Sequence, residues 1–181
     1  MERAGRAGAR LLARLVRPRD QDLHLDDERP RGRGRADAVR DLVCADGYWA
    51  DHTKSLCPGE LTPRYAELLE QLTAVYDNAV AFAAPGASLA ELDRRVRSGI
   101  ADAGYPGQPS HPICHGVGAR AHEPPYAHQA DGGEIREGMV LAIEPGIYWE
   151  GGGGLRLEDN FLVGSDGSEK LCPFPDDFRG L

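Results

Sequence analysis

The sequence predicts an α+β fold, a curved antiparallel sheet with flanking helices. Three observations carry this reading. Between residues 62 and 103, two stretches repeat apolar residues at the helical period. Before them, short apolar runs lead into and out of an Asp-Gly turn. After them, from residue 113 to residue 163, short apolar runs again alternate with Gly, Pro and Asp turns, so the two helices lie between two groups of strands.

Residues 1–36 are rich in Arg, Asp, Gly and Pro and end in Arg29-Pro30-Arg31-Gly32-Arg33-Gly34-Arg35. This low-complexity composition cannot bury enough apolar area to order itself, so disorder or loose packing is expected there. Within it, residues 9–16 read as a frayed surface segment or a short basic amphipathic helix. From Ala38 the pattern changes. Val39, Leu42 and Val43 lead to Asp46-Gly47, and Tyr48-Trp49-Ala50-Asp51-His52-Thr53 returns, which predicts a two-stranded hairpin. A polar loop through Pro58-Gly59 follows.

Thr62 and Pro63 suit the N-cap and first position of a helix. Tyr65, Leu68, Leu69, Leu72, Val75, Tyr76, Ala79 and Val80 keep one apolar stripe that predicts a helix to about residue 83. Beyond Pro85-Gly86, Ser88-Leu89-Ala90-Glu91 is a capping box. Leu89, Leu92, Val96 and Ile100 carry a second helix to Ala103, where Gly104 can take the left-handed conformation that ends it. There is no internal repeat.

With 181 residues, 41% hydrophobic and 28% charged, the chain is long enough for one domain with a real core. The formal net charge of −8 argues against nucleic acid as a general partner. The charge is uneven: residues 1–40 hold 11 Arg against 7 Asp plus Glu, which leaves the remainder strongly acidic. Cys44, Cys57, Cys114 and Cys172 are scattered without a CxxC pair, so reduced thiols in a cytoplasmic protein are expected rather than a zinc knuckle or disulfide framework. No segment approaches the ~18 apolar residues of a membrane span, and the N-terminus lacks the features of an export signal.

Chemistry concentrates near the C-terminal end. Gly138-Met139-Val140-Leu141-Ala142-Ile143-Glu144-Pro145-Gly146-Ile147-Tyr148 and Gly154-Leu155-Arg156-Leu157-Glu158-Asp159 put two glutamates on apolar, strand-like segments. Burying a carboxylate there is costly unless a cation or a proton compensates. With His115 and Asp51 upstream they form a mostly oxygen ligand set with one imidazole, which suits hard divalent ions, Mn²⁺ in particular. Arg156, two residues before Glu158 and so on the same strand face, can pair with a carboxylate and orient it. His111, His115 and His122 lie in one glycine-loosened run. His115 and His122 are an odd number of residues apart, so a regular strand would turn them to opposite faces, but Gly116 and Gly118 permit a bend that joins them.

These motifs carry a resemblance. His115-Gly116-Val117-Gly118 with His122-Glu123, then Ile143-Glu144-Pro145-Gly146-Ile147-Tyr148, then Arg156 with Glu158-Asp159, in that order, resemble the pita-bread metallopeptidases: aminopeptidase P, prolidase, methionine aminopeptidase and creatinase. The Glu-Pro-Gly-Ile-Tyr wording and Arg156 resemble the Xaa-Pro branch. The similarity spans roughly residues 38–173, so residues 37–181 are expected to form a partial pita-bread catalytic domain. The resemblance implies Asp51, His115, Glu144 and Glu158 as metal ligands. It makes Glu144 the general base, with His111 and His122 orienting substrate and stabilising the tetrahedral intermediate. It also implies a divalent metal, with Mn first and Co or Zn as alternatives, a small proline-containing peptide as substrate, and a homodimer.

Two departures qualify what the resemblance implies. A further aspartate is expected on the strand before the hairpin turn, eleven residues before Asp51, but Asp41 is ten residues before it. With Asp46 and Gly47 as the turn, Leu42 lies opposite Asp51 and Asp41 points to the other side, unless a β-bulge between Leu42 and Ala45 restores it. Strict spacing puts Arg40 there instead. One metal site is therefore expected, and a second depends on Asp41. In addition, only the arginine-rich stretch stands where relatives carry half of the catalytic domain, which suggests a gene truncated or frameshifted upstream. Besides an Xaa-Pro peptidase, the residues admit a creatinase-like C–N hydrolase, or an inactive fragment that binds peptides or proteins as a scaffold.

Overall fold

The computed structural model describes residues 10–16, 37–56, 60–128, 133–149 and 153–172. The Pro58-Gly59 loop, Cys57, residues 173–181 and most of the low-complexity segment lie outside the described residues. The elements are β1 (Arg10–Val16), β2 (Asp37–Ala45), β3 (Tyr48–Leu56), α1 (Pro63–Phe82), α2 (Leu89–Asp102), β4 (Cys114–Gly116), β5 (Glu123–Tyr126), β6 (Val140–Ile143), β7 (Gly146–Trp149), β8 (Gly153–Arg156), β9 (Asp159–Gly164) and β10 (Gly167–Lys170).

The hairpin forms as its turn residues dictate. Asp46 and Gly47 have φ of 51° and 88°, the two left-handed positions that a tight hairpin turn requires and that Asp and Gly tolerate. Pairing then runs one to one from Ala45↔Tyr48 to Asp37↔Leu56, so there is no bulge between Leu42 and Ala45. Leu42 pairs with Asp51, and Asp41 pairs with His52. Residues 10–16 differ from the frayed segment or short helix expected over residues 9–16. They form a third strand paired with β2 from Arg10↔Cys44 to Val16↔Ala38. Seven residues are too few to sustain a helix alone, whereas β2 offers a complete ladder of backbone partners.

Both helices start at the expected caps. Thr62 Oγ1 accepts from the Tyr65 amide at 3.5 Å, and Ser88 Oγ accepts from the Glu91 amide at 3.3 Å. Tyr65, Leu68, Leu72, Tyr76 and Ala79 are the buried face of α1. In α2 the buried face is Leu89, Leu92, Val96 and Ile100, joined by Asp93. Beyond α2, Gly104 has φ of 94°.

The main sheet is antiparallel in the order β10-β9-β6-β4-β5, β7 and β8 form a separate ribbon, and β1-β2-β3 is the third sheet. Alternation along the strands separates the two faces. Cys114, Leu141, Ile143 and Phe161 belong to the hydrophobic core with the helices. His115, Ala142 and Asn160, which are paired neighbours across β4, β6 and β9, turn the other way. The hairpin docks on that side: Thr53 and Glu158 exchange backbone hydrogen bonds at 3.2 and 2.9 Å. Among the described residues, no helix is long and apolar enough to cross a membrane.

Candidate metal and catalytic site

Four separate segments deliver carboxylates and imidazoles to the face opposite the helices. Asp51 comes from β3, His115 from β4, Glu144 from the end of β6, and Glu158 from the junction of β8 and β9. His115, Asp51 and Glu158 are at most 1% exposed and Glu144 is 5% exposed. His115 Nδ1 donates to the Gly116 carbonyl at 2.9 Å, which turns Nε2 toward the carboxylates. Nε2 stands 3.4 Å from Glu144 Oε1 and 4.0 Å from both Asp51 Oδ2 and Glu158 Oε1.

The local fold explains how the histidines converge. The β4–β5 pairing shifts register between His115 and Gly116. A Cβ on Gly116 would sit 2.6 Å from the Pro124 carbonyl oxygen, so only glycine allows the strands this close. The irregularity offsets the odd spacing and brings the His115 and His122 rings to 4.4 Å between centroids. His122 Nε2 is 3.4 Å from Asp51 Oδ2 and its side chain is 37% exposed, at the open edge of the group. His111 enters from the loop before β4, with Nδ1 3.6 Å from Glu144 Oε2.

Three residues not anticipated from sequence hold this set in place. The Asn160 side-chain amide grips the Asp51 backbone, accepting from its N–H and donating to its carbonyl, both at 2.9 Å. Thr53 Oγ1 donates to Glu158 Oε2 and accepts from Arg156 Nε at 3.1 Å. Tyr148 Oη lies 3.0 Å from His111 Nε2. Their signals were present in the spacing: Thr53 is two residues after Asp51, Asn160 two after Glu158, and Tyr148 closes the Glu-Pro-Gly-Ile-Tyr run. Arg156 reaches both glutamates, with Nη1 3.7 Å from Glu144 Oε2 and Nε 3.6 Å from Glu158 Oε2.

Electrostatics follow from this crowding. Burial pushes the Glu144 carboxyl up, but His115, His111 and Arg156 outweigh it and hold the group well below the usual carboxylate range. Burial works against the charged form of His115 too, and Glu144 overcomes it, so the His115 pKa lies above its ordinary value. For His111 burial prevails and the pKa falls. Burial, opposed by Arg156 and aided by Glu144, pushes Tyr148 up to about 12. A neutral His111 therefore donates from Nδ1 to the Pro112 carbonyl at 2.7 Å and accepts at Nε2 from the Tyr148 hydroxyl.

The residues fit a divalent cation. Donor atoms of Asp51, His115 and His122, and again of His115, Glu144 and Glu158, lie within 4.8 Å of one another. Atoms bound about 2.1 Å from one ion stand roughly 3 to 4 Å apart, which is the spacing around His115 Nε2. That buried nitrogen makes no hydrogen bond among the described residues. The three carboxylates supply the negative charge a dication needs.

Comparison with known proteins identifies the family and the fold. Residues 38–165 match the model of metallopeptidase family M24. The Xaa-Pro dipeptidase of Pyrococcus horikoshii is 40% identical over 124 residues, covering 68% of this chain and 35% of that protein. The putative dipeptidase YkvY of Bacillus subtilis is 36% identical over 135 residues, covering 75% and 37%. The crystal structure of the prolidase from Pyrococcus horikoshii OT3 aligns with a TM-score of 0.84 at 31% identity, over 92% of this chain and 48% of that one. The fold is the pita-bread arrangement of these neighbours, and the chain spans about a third of the length of the curated relatives it matches.

Proposed function

The chain belongs to metallopeptidase family M24, and from that membership and the donor cluster we propose that its site serves a metal-dependent hydrolase acting on small Xaa-Pro peptides. One observation carries the reading: the His115 imidazole faces the carboxylates of Asp51, Glu144 and Glu158, which arrive from segments far apart in sequence. The proposed ligands are those four residues, and Mn²⁺ best suits their oxygen-rich set, with Co²⁺ or Zn²⁺ as alternatives. When bound, the ion supplies a water acidified toward neutral pH and an electrophile for the scissile carbonyl.

The side chains do the rest. Glu144, ionised at neutral pH, takes the proton of the attacking water as general base. His122, at the open edge, faces the incoming peptide and donates to the oxygen that gains negative charge. His111, neutral and braced by Tyr148, orients the substrate beside Glu144. Arg156 offsets the charge of Glu144 and Glu158. The scattered cysteines support a reducing, cytoplasmic setting, and a homodimer is the proposed assembly.

A non-catalytic scaffold is the second reading, favoured by one observation: Leu42, not a carboxylate, pairs with Asp51. Metal content and Xaa-Pro dipeptide hydrolysis in added Mn²⁺ separate the two. The expected result is one ion per chain and turnover that drops at least ~100-fold in Glu144→Gln. Metal binding with hydrolysis of creatine instead of dipeptides favours the C–N hydrolase, and binding no better than background leaves only the scaffold.

A further inference from the structure

The loop that carries His111 into the site has no helix or strand of its own. Residues 103–113 include Pro106, Pro109 and Pro112, which lack backbone N–H groups, and Gly104 and Gly107 at φ of 94° and 82°. Such a segment cannot join a backbone ladder, and its buried carbonyls need donors from elsewhere. Arg97 on α2 provides them. Its Nη1 donates to the Pro109 carbonyl, and its Nη2 donates to the His111 carbonyl at 3.0 Å.

The same guanidinium is locked from behind. Arg97 Nε donates to Asp93 Oδ1 and Oδ2 at 3.0 and 2.9 Å, and Asp93 is fully buried one helical turn earlier. A planar guanidinium can satisfy a carboxylate and two carbonyls in one fixed plane, which an ammonium cannot. Helix α2 is itself anchored by Leu92, Val96 and Ile100, each at most 1% exposed. His111 is thus fixed at its backbone by Arg97 and at its ring by Tyr148, with Nδ1 3.6 Å from Glu144 Oε2.

We propose that Arg97, locked by Asp93, is a positioning residue that sets His111 against Glu144 by referring the loop to the hydrophobic core through α2. It touches no reacting atom and acts through His111. The kinetic part of this proposal rests on the hydrolase reading; the geometric part does not.

The test uses the full chain with ¹⁵N-labelled histidine, the His111 ring signals being assigned by their loss in His111→Gln. Arg97→Met is expected to shift or broaden those signals while the ring of His52, on β3, keeps its own. Arg97→Lys retains the charge but not the fork, so it moves the His111 signals in the same sense and carries the test should Arg97→Met fail to fold. With Mn²⁺ and an Xaa-Pro dipeptide, Arg97→Met is expected to lower kcat/KM on the order of 100-fold at unchanged metal content. In a His111→Ala background the same substitution then costs nothing further in kcat/KM. Unmoved His111 signals in the folded Arg97 variants overturn the proposal, and so do kinetic losses that simply add. A chain without peptidase turnover refutes the hydrolase reading alone, since the ring signals still decide the role of Arg97.

Discussion

Glu158 and Asp159 are adjacent buried carboxylates that serve opposite sides of the structure. Glu158 faces His115, whereas Asp159 accepts from Tyr76 Oη at 2.7 Å, from Lys170 Nζ at 2.9 Å and from Lys54 Nζ. His52 Nδ1 stands 3.5 Å from Asp159 Oδ1, and donor atoms of His52, Asp159 and Cys172 lie within 4.8 Å of one another. Two ammonium groups already compensate Asp159, so this cluster is an ion network, in contrast to the proposed cation site around His115. Asp159→Ala removes the buried carboxylate that Tyr76, Lys54 and Lys170 share and is expected to cost about 3–5 kcal/mol by urea unfolding at neutral pH. Burial pushes the Asp159 carboxyl up, but His52, Lys54 and Tyr76 outweigh it and depress its pKa. The stability this contributes is complete above the ordinary aspartate value near ~4 and is lost as pH falls below it. Asp159→Asn should flatten that acid limb, and an unchanged pH dependence would count against the network. The candidates Asp51, His115, Glu144 and Glu158 stood out in the sequence because they are chemically unusual inside apolar runs, and the fold brings them together. Thr53 and Asn160 offered only a two-residue spacing from Asp51 and Glu158, and Arg97 offered no signal. They are ordinary polar residues, and the first two meet partners more than 100 positions away.

At the scale of elements, the α1–α2 contact turns on one glycine. A Cβ on Gly99 would approach Val75 Cγ2 to 2.7 Å. Alanine gains about 1 kcal/mol of helix propensity, but Val75 has essentially one helical rotamer and cannot swing aside, so overpacking at about 1–3 kcal/mol prevails. Gly99→Ala is expected to lower the urea midpoint with the slope unchanged, and to cost less in a Val75→Ala background. Equal costs in both backgrounds would show that the contact is not the cause. The helices, their caps and the Asp46-Gly47 turn were legible because each depends on residues a few positions apart. β1 was not: its partner β2 begins 21 residues after it ends, and the arginine-rich composition between them argued for disorder. The strands from β4 to β8 are three or four residues long, too short for periodicity to resolve one by one.

For the whole molecule, the site is also a joint. Asp51 belongs to the β1–β2–β3 sheet, His115 and Glu144 to strands or strand ends of the main sheet, and Glu158 to the junction with the β7–β8 ribbon. A cation held by all four ties the three sheets together and binds only the folded chain, so binding energy becomes folding energy. At a free Mn²⁺ concentration about 100 times its Kd, the gain is about 2.7 kcal/mol. For a domain of this size that corresponds to a rise in Tm of roughly 5–10 °C. Chelation with EDTA should reverse the rise, and Glu158→Gln should abolish most of it while leaving the Asp159 network in place. Calorimetric titration should saturate at one ion per chain, because Leu42 pairs with Asp51 where a second carboxylate would be needed. A Tm indifferent to Mn²⁺, or a rise that persists in Glu158→Gln, would remove the ion from this joint. Saturation at two ions would instead require another donor to reach Asp51.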